Sequence, residues 1–336
     1  MNSYKVLNNQ VFESGHYSIV PIRYEDRLDI LKWRNEQIYH LRQANPLTED
    51  DQEEYFSNVV SKLFDQEKPN QILFSYLKDE NCIGYGGLVH INWVDKNAEI
   101  SFIMDTALEA EEFEFHWMKY LSLLEQVAFD GLGFHKLYTY AFDIRPHLYL
   151  ALEKYGFSKE AILQDHCLFN GEFIDVVIHS KKDSVYLRKA TFEDVTITYN
   201  WANDPITRKY SFSKDYIPFE NHQNWYKSKI TDKNCTYLIL ENSIKTPLGS
   251  IRVDVKGEVG LISYLVAPKY QGRGLGKLLV KNCEEYLENY NPMVKILEGY
   301  VMEENLASIN IFKGLGYTEV STQEGFKFIK KRHENR

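Results

Sequence analysis

The chain has 336 residues, 44% of them apolar and 14% aromatic, which is enough to fill two hydrophobic cores of ordinary size. A net charge of −9 and a pI near 5.6 argue against nucleic-acid binding. With no run of about 18 apolar residues and no charged-then-apolar opening, a soluble, cytoplasmic protein is expected.

In chain order, Tyr17 to Pro21 predicts a strand, Tyr24 to Leu41 a helix carrying Trp33, and Thr48 to Leu63 a second helix with Thr48 as N-cap. Strands follow at Gln71 to Leu77, Gly84 to Ile91 and Ala98 to Met104, and then an apolar-rich helix from about Phe113 to Phe129. A charged stretch, Lys181 to Ser184, precedes a second series. It has a strand near Val185, helices at Val195 to Asn203 and Phe219 to Ile230, and strands at Thr236 to Glu241, Gly249 to Val255 and Val259 to Val266. The two series echo each other: Trp33 and Asn35 match Trp201 and Asn203, Gly84 matches Gly249, and Gly156-Phe157 matches Gly316-Tyr317. We therefore read a tandem duplication, with domains at 1–183 and 184–336. The four cysteines, Cys82, Cys167, Cys235 and Cys283, have no ligand or disulfide spacing, so no metal site is expected.

Two motifs in the second half carry chemistry. Gln271-Gly272-Arg273-Gly274-Leu275-Gly276 lies between the strand and an amphipathic helix, Lys277 to Tyr290. A helix N-terminus offers free N–H groups and the positive end of its dipole, and glycines let a diphosphate approach the backbone. Arg273 and Lys277 add charge of the right sign. Downstream, a strand at Ile296 to Val301 leads to Asn305 and Ser308, one helical turn apart, and to a short helix ended by Gly316.

With both motifs in this order, the chain resembles the GNAT superfamily of acyl-CoA N-acyltransferases. The resemblance implies an α+β fold of two tandem units, each a mixed, mostly antiparallel twisted sheet flanked by helices with a central strand splay. It also implies acetyl-CoA as acyl donor. Gln271 to Lys277 would hold its pyrophosphate, Asn305 and Ser308 would flank the pantetheine arm, and the backbone of Leu265 and Val266 would support the thioester.

The first unit departs from the pattern. Gln271 to Gly276 corresponds to Glu109-Ala-Glu-Glu-Phe-Glu114, and Asn305 and Ser308 to Arg145 and Leu148. A loop with four carboxylates repels a diphosphate, each costing on the order of 4 kcal/mol at about 4 Å and an effective dielectric near 20. Residues 1–183 hold 17 Lys and Arg against 30 Asp and Glu, net −13, whereas 184–336 hold 22 against 18, net +4. The first unit is therefore expected to be a degenerate domain, and it resembles ribosomal-protein N-acetyltransferases.

Acyl transfer to an amine needs a base for the amine, donors for the oxyanion and an acid for the thiolate. Glu298 and Tyr300 share strand parity near the splay and are candidates, with Glu258 a second candidate base. Family members use a tyrosine seven residues after the motif Asn as acid; Phe312 stands there, and Ser308 is the alternative. On the acceptor side Arg208, His222, Trp225 and Arg252 resemble a GNAT branch that acetylates nucleotide-linked amino sugars, as in pseudaminic acid synthesis. The acceptor is expected to be such a small amine. A protein N-alpha-acetyltransferase and a non-catalytic acyl-CoA-binding scaffold are the alternatives. The duplication also permits an intramolecular pseudo-dimer.

Overall fold

A computed structural model describes residues 2–43 and 45–332, and their contacts divide into two units, Met1–Asp183 and Ser184–Arg336. The first contains β1 (Phe12–Ser14), β2 (Tyr17–Pro21), α1 (Arg27–Glu36), α2 (Glu49–Tyr55), α3 (Ser61–Leu63), β3 (Ile72–Lys78), β4 (Asn81–Asn92) and β5 (Asn97–Met104). These are followed by α4 (Thr106–Glu125), β6 (Lys136–Phe142), α5 (Pro146–Lys154), β7 (Ser158–Phe169) and β8 (Glu172–Lys182). The sheet order is β1-β2-β3-β4-β5-β6-β8-β7, antiparallel except for the pair β5–β6. Thr48 caps α2 in a reciprocal capping box with Asp51. The core is aromatic: Phe102 stacks on Tyr120 at 3.9 Å, with Tyr76 and Trp117 edge-on to Phe102.

The second unit contains β9 (Val185–Lys189), α6 (Val195–Ala202), α7 (Pro205–Lys209), α8 (Phe219–Thr231), β10 (Cys235–Asn242), β11 (Pro247–Lys256) and β12 (Val259–Val266). Then come α9 (Leu275–Tyr290), β13 (Ile296–Val301), α10 (Leu306–Gly314), β14 (Thr318–Thr322) and β15 (Gly325–Lys331). Its order is β14-β15-β13-β12-β11-β10-β9, and among the described residues β12–β13 is the one parallel pair. Each unit is thus a mixed, mostly antiparallel sheet flanked by helices. Leu279, Val280, Cys283 and Leu287 on α9 are buried beside Leu297, Phe312 and Phe328; the steps of three and four residues from Leu279 and Val280 to Cys283 and on to Leu287 make one apolar stripe.

The parallel pairs position the sites. β12 and β13 keep register only from Val259↔Ile296 to Ile262↔Gly299, and β5 and β6 only from Asn97↔Lys136 to Glu99↔Tyr138. Past those points the strands diverge, and each unit has a splay. One expectation is extended here. The long helix of the first unit does run on from Phe113, but a kink at Glu112 (φ −127°, ψ 28°) joins it to an earlier helical segment from Thr106, where the Asp105 side chain accepts the Ala107 N–H directly after β5. Among the described residues no helix is long and apolar enough to cross a membrane.

Candidate active site

Between β12 and α9 the backbone turns through Gly272 (φ +77°) and Gly274 (φ +78°), and a Cβ added at either meets nothing within 4 Å. Positive φ explains glycine at both positions, and the empty surroundings leave room for a ligand against the backbone. Gly276 serves packing instead: a Cβ there lies 2.7 Å from Ile311 Cδ1. No side chain caps α9, whose N-cap is Gly274, so its first-turn N–H groups and dipole face the opening. The resulting cavity, about 440 Å³, brings together Leu265, Val266, Gln271, Gly272, Gly274, Leu275, Gly276, Asn305 and Ser308. Arg273 and Lys277 lie outside this lining and are exposed; the Arg273 guanidinium sits 5.3 Å from the Tyr270 ring centroid. A diphosphate fits this donor set.

The two residues assigned to the thioester divide by strand alternation. Ala267 N–H bonds to Leu248 O, and the Leu265 carbonyl points at Gly249, so the Leu265 backbone is committed to β11. The alternate N–H groups, of Tyr264 and Val266, face the splay.

Tyr264 is the residue that sequence reasoning missed. Its hydroxyl lies 2.6 Å from Ser308 Oγ, and it lines both this cavity and its neighbour. Burial pushes the Tyr264 phenol up to about 12, so it stays protonated at neutral pH. Asn305 caps α10 by accepting the Ser308 N–H at 3.1 Å, which fixes Ser308 beneath the phenol. Phe312 is 2% exposed and stacks on Phe328 at 5.2 Å. Its para carbon is 2.6 Å from where a Gly299 Cβ would stand, so the ring needs glycine at 299, and a tyrosine at 312 would bring a hydroxyl into this buried, closely packed aromatic cluster.

A second cavity of about 500 Å³ adjoins the first, sharing Thr207, Ser211, Tyr264 and Leu265, and it gathers Arg208, His222, Trp225 and Arg252. Arg252 lies 4.9 Å from the Trp225 ring centroid and bonds to Asp254 at 2.8 Å, so its charge is partly spent. Arg208 has only neutral partners, the carbonyls of Ser213 and Asp215 and the Ser211 hydroxyl. Its Nε and the Thr207 hydroxyl oxygen are buried without a hydrogen-bond partner. His222 is 3% exposed, with Nε2 3.2 Å from Thr198 Oγ1, and burial lowers its pKa, which keeps it neutral. Among the described lining residues there is no Asp or Glu.

Glu298 and Tyr300 do share a face of β13, but neither lines these cavities. Glu298 is held by Lys327 at 2.9 Å, and that ammonium is 5.7 Å from the Tyr300 ring. Glu258 sits in the exposed β11–β12 turn, at the end of β12 away from the glycine loop.

At the equivalent place the first unit has no loop at all. Glu109 to Glu114 lie within α4, interrupted by one non-helical residue, Glu112. The expected repulsive loop is therefore corrected to a kinked helix, three of whose four carboxylates have a partner close by. Glu109 accepts from Arg145 at 2.7 Å and from Tyr39 at 3.0 Å, Glu112 lies 3.6 Å from His116, and Glu114 pairs with Lys154.

Two family models match the chain: one described as an acetyltransferase (GNAT) domain, over residues 19–178, and one described as the acetyltransferase (GNAT) family, over residues 196–317. Uncharacterized protein MJ1062 of Methanocaldococcus jannaschii is 25% identical over 158 residues, which cover 45% of this chain and 30% of that protein. Uncharacterized N-acetyltransferase YobR of Bacillus subtilis is 23% identical over 136 residues, 39% of this chain and 53% of that protein. The matches thus span 30% and 53% of the length of these curated relatives. Among solved structures, spermidine N-acetyltransferase from Vibrio cholerae in complex with CoA and spermine is 19% identical with a TM-score of 0.44, covering 50% of this chain and 96% of that one.

Proposed function

Because both halves of the chain belong to the GNAT acetyltransferase family, we propose that the second unit moves an acetyl group from acetyl-CoA to the primary amine of a small anionic acceptor, with a nucleotide-linked amino sugar preferred. Acetyl-CoA, when bound, supplies the thioester carbon that the amine attacks. The open glycine loop and the uncapped start of α9 would hold its pyrophosphate, and Asn305 and Ser308 would flank its pantetheine arm. The Val266 N–H takes the negative charge that develops on the thioester oxygen. The Tyr264 hydroxyl donates the proton the departing thiolate needs, and Ser308 holds that hydroxyl in place. The acceptor amine sheds its proton to solvent, since Glu298 and Tyr300 on β13 line neither cavity and Glu298 is held by Lys327.

The observation that carries the acceptor class is the second cavity's charge. Arg208 lines it with only neutral partners, Arg252 is partly neutralised by Asp254, which lies outside the lining, and two buried polar atoms, Arg208 Nε and the Thr207 hydroxyl oxygen, lack partners. Such a lining attracts phosphate and repels a polyamine or a cationic peptide. Trp225, one third exposed, offers a face for a base or sugar ring. The test is a comparison of initial rates with a nucleoside-diphosphate amino sugar, the same amino sugar without its nucleotide, and spermidine. We expect kcat/KM to fall about 100-fold when the nucleotide is removed, with Arg208→Gln abolishing most of the difference. Spermidine turned over fastest would overturn the assignment.

A further inference from the structure

The first unit keeps its splay although it has lost the phosphate loop. A cavity of about 390 Å³ lies between the diverging β5 and β6, within the size range of small-molecule sites. Its charges do not cancel. Arg42 donates to Glu99 at 3.0 Å, and Glu99 is the one carboxylate among the described lining residues. Arg34 spends its guanidinium on neutral groups, the Tyr85 hydroxyl at 2.7 Å and the Gln43 amide oxygen at 3.0 Å. Arg145 is neutralised by Glu109 through Nη2, but its Nε has no partner, and neither has the Thr139 hydroxyl oxygen. Both residues line the cavity and are more than nine-tenths buried. A buried donor left unmade is costly to the folded chain, and a ligand acceptor atom removes that cost. Aromatic surface is close by: the Arg42 guanidinium lies 4.0 Å from the Tyr140 ring centroid, and Trp117 forms part of the wall.

We propose that this cavity is a second ligand site, which takes a small organic anion, a carboxylate or phosphate monoester on an aromatic body, in place of a coenzyme A thioester. The grip on a diphosphate is gone, because α4 starts at Thr106 and the Asp105 carboxylate takes the first-turn Ala107 N–H. What remains suits a ligand with one anionic end: a surplus cation in Arg34, two unpartnered polar atoms and an aromatic wall.

The experiment is calorimetric titration of phenyl phosphate and, separately, of benzoate into the full chain saturated with acetyl-CoA. At least one equivalent of one of the probes should bind with a Kd below about 1 mM. Binding should weaken about tenfold in Arg34→Gln and in Thr139→Val, a near-isosteric change that keeps the strand. It should persist in Arg208→Gln, which removes only a further equivalent taken by the second unit's cavity. Which probe binds separates the carboxylate from the phosphate form of the ligand. The proposal is overturned if neither probe binds up to about 10 mM, or if binding survives Arg34→Gln but is lost in Arg208→Gln. Binding of a second equivalent of coenzyme A, lost in Thr139→Val, also overturns it.

Discussion

At the scale of single residues the chemistry converges on Tyr264. A phenol pushed up to about 12 by burial is fully protonated through neutral pH, which suits a donor and not a base. Tyr264→Phe is expected to lower kcat about 100-fold with little change in KM for acetyl-CoA, and Ser308→Ala to act in the same direction but less, both read from steady-state kinetics. The sign of the pH effect follows from the role. An acid is active while protonated, so the donor is lost only as pH rises through its raised value, and the wild-type rate should hold to about pH 10 where an ordinary phenol would already be half ionised. Phe312→Tyr makes the complementary case. Its added hydroxyl is buried in a closely packed aromatic cluster, so we expect a loss of about 1–3 kcal/mol in denaturant unfolding and no gain in rate.

At the scale of elements, the strand, glycine loop and helix of the second unit could be read from sequence, because positive-φ glycines, a buried strand and an amphipathic stripe are all local signals. Gly274→Glu, which copies Glu112 of the first unit, adds a Cβ at φ +78° and a charge at the anion's place. Titration should give one acetyl-CoA per chain in the wild type and none in the variant. What could not be read was long-range. Tyr264 and Ser308 are 44 residues apart and meet only when β12 and α10 pack. The shared parity of Glu298 and Tyr300 was legible, but Lys327, which reaches Glu298 from the neighbouring strand β15, was not. The start of α4 was legible and overlooked: Asp105-Thr106 is a helix-start signal, masked by a run of glutamates that looked like a loop.

At the scale of the whole molecule, two separate apolar clusters fill the two units, and acetyl-CoA is expected to act on one of them. Scanning calorimetry should resolve two transitions, and acetyl-CoA at 100 times its Kd should stabilise only one of them, by about 2.7 kcal/mol. A single transition moved as a whole would mean that the units unfold together. The helix that replaces the loop in the first unit has a further consequence. Glu112 stands where Gly274 stands in the second unit, yet changing that one residue to glycine leaves the Asp105 cap and the buried Arg145–Glu109 pair intact. Reopening the site requires several coordinated changes, each of which first removes a stabilising contact and returns nothing until the last is made. The first half is therefore not expected to regain its sibling's chemistry by a single substitution, and a Glu112→Gly chain should still take up one acetyl-CoA, not two, in the same titration.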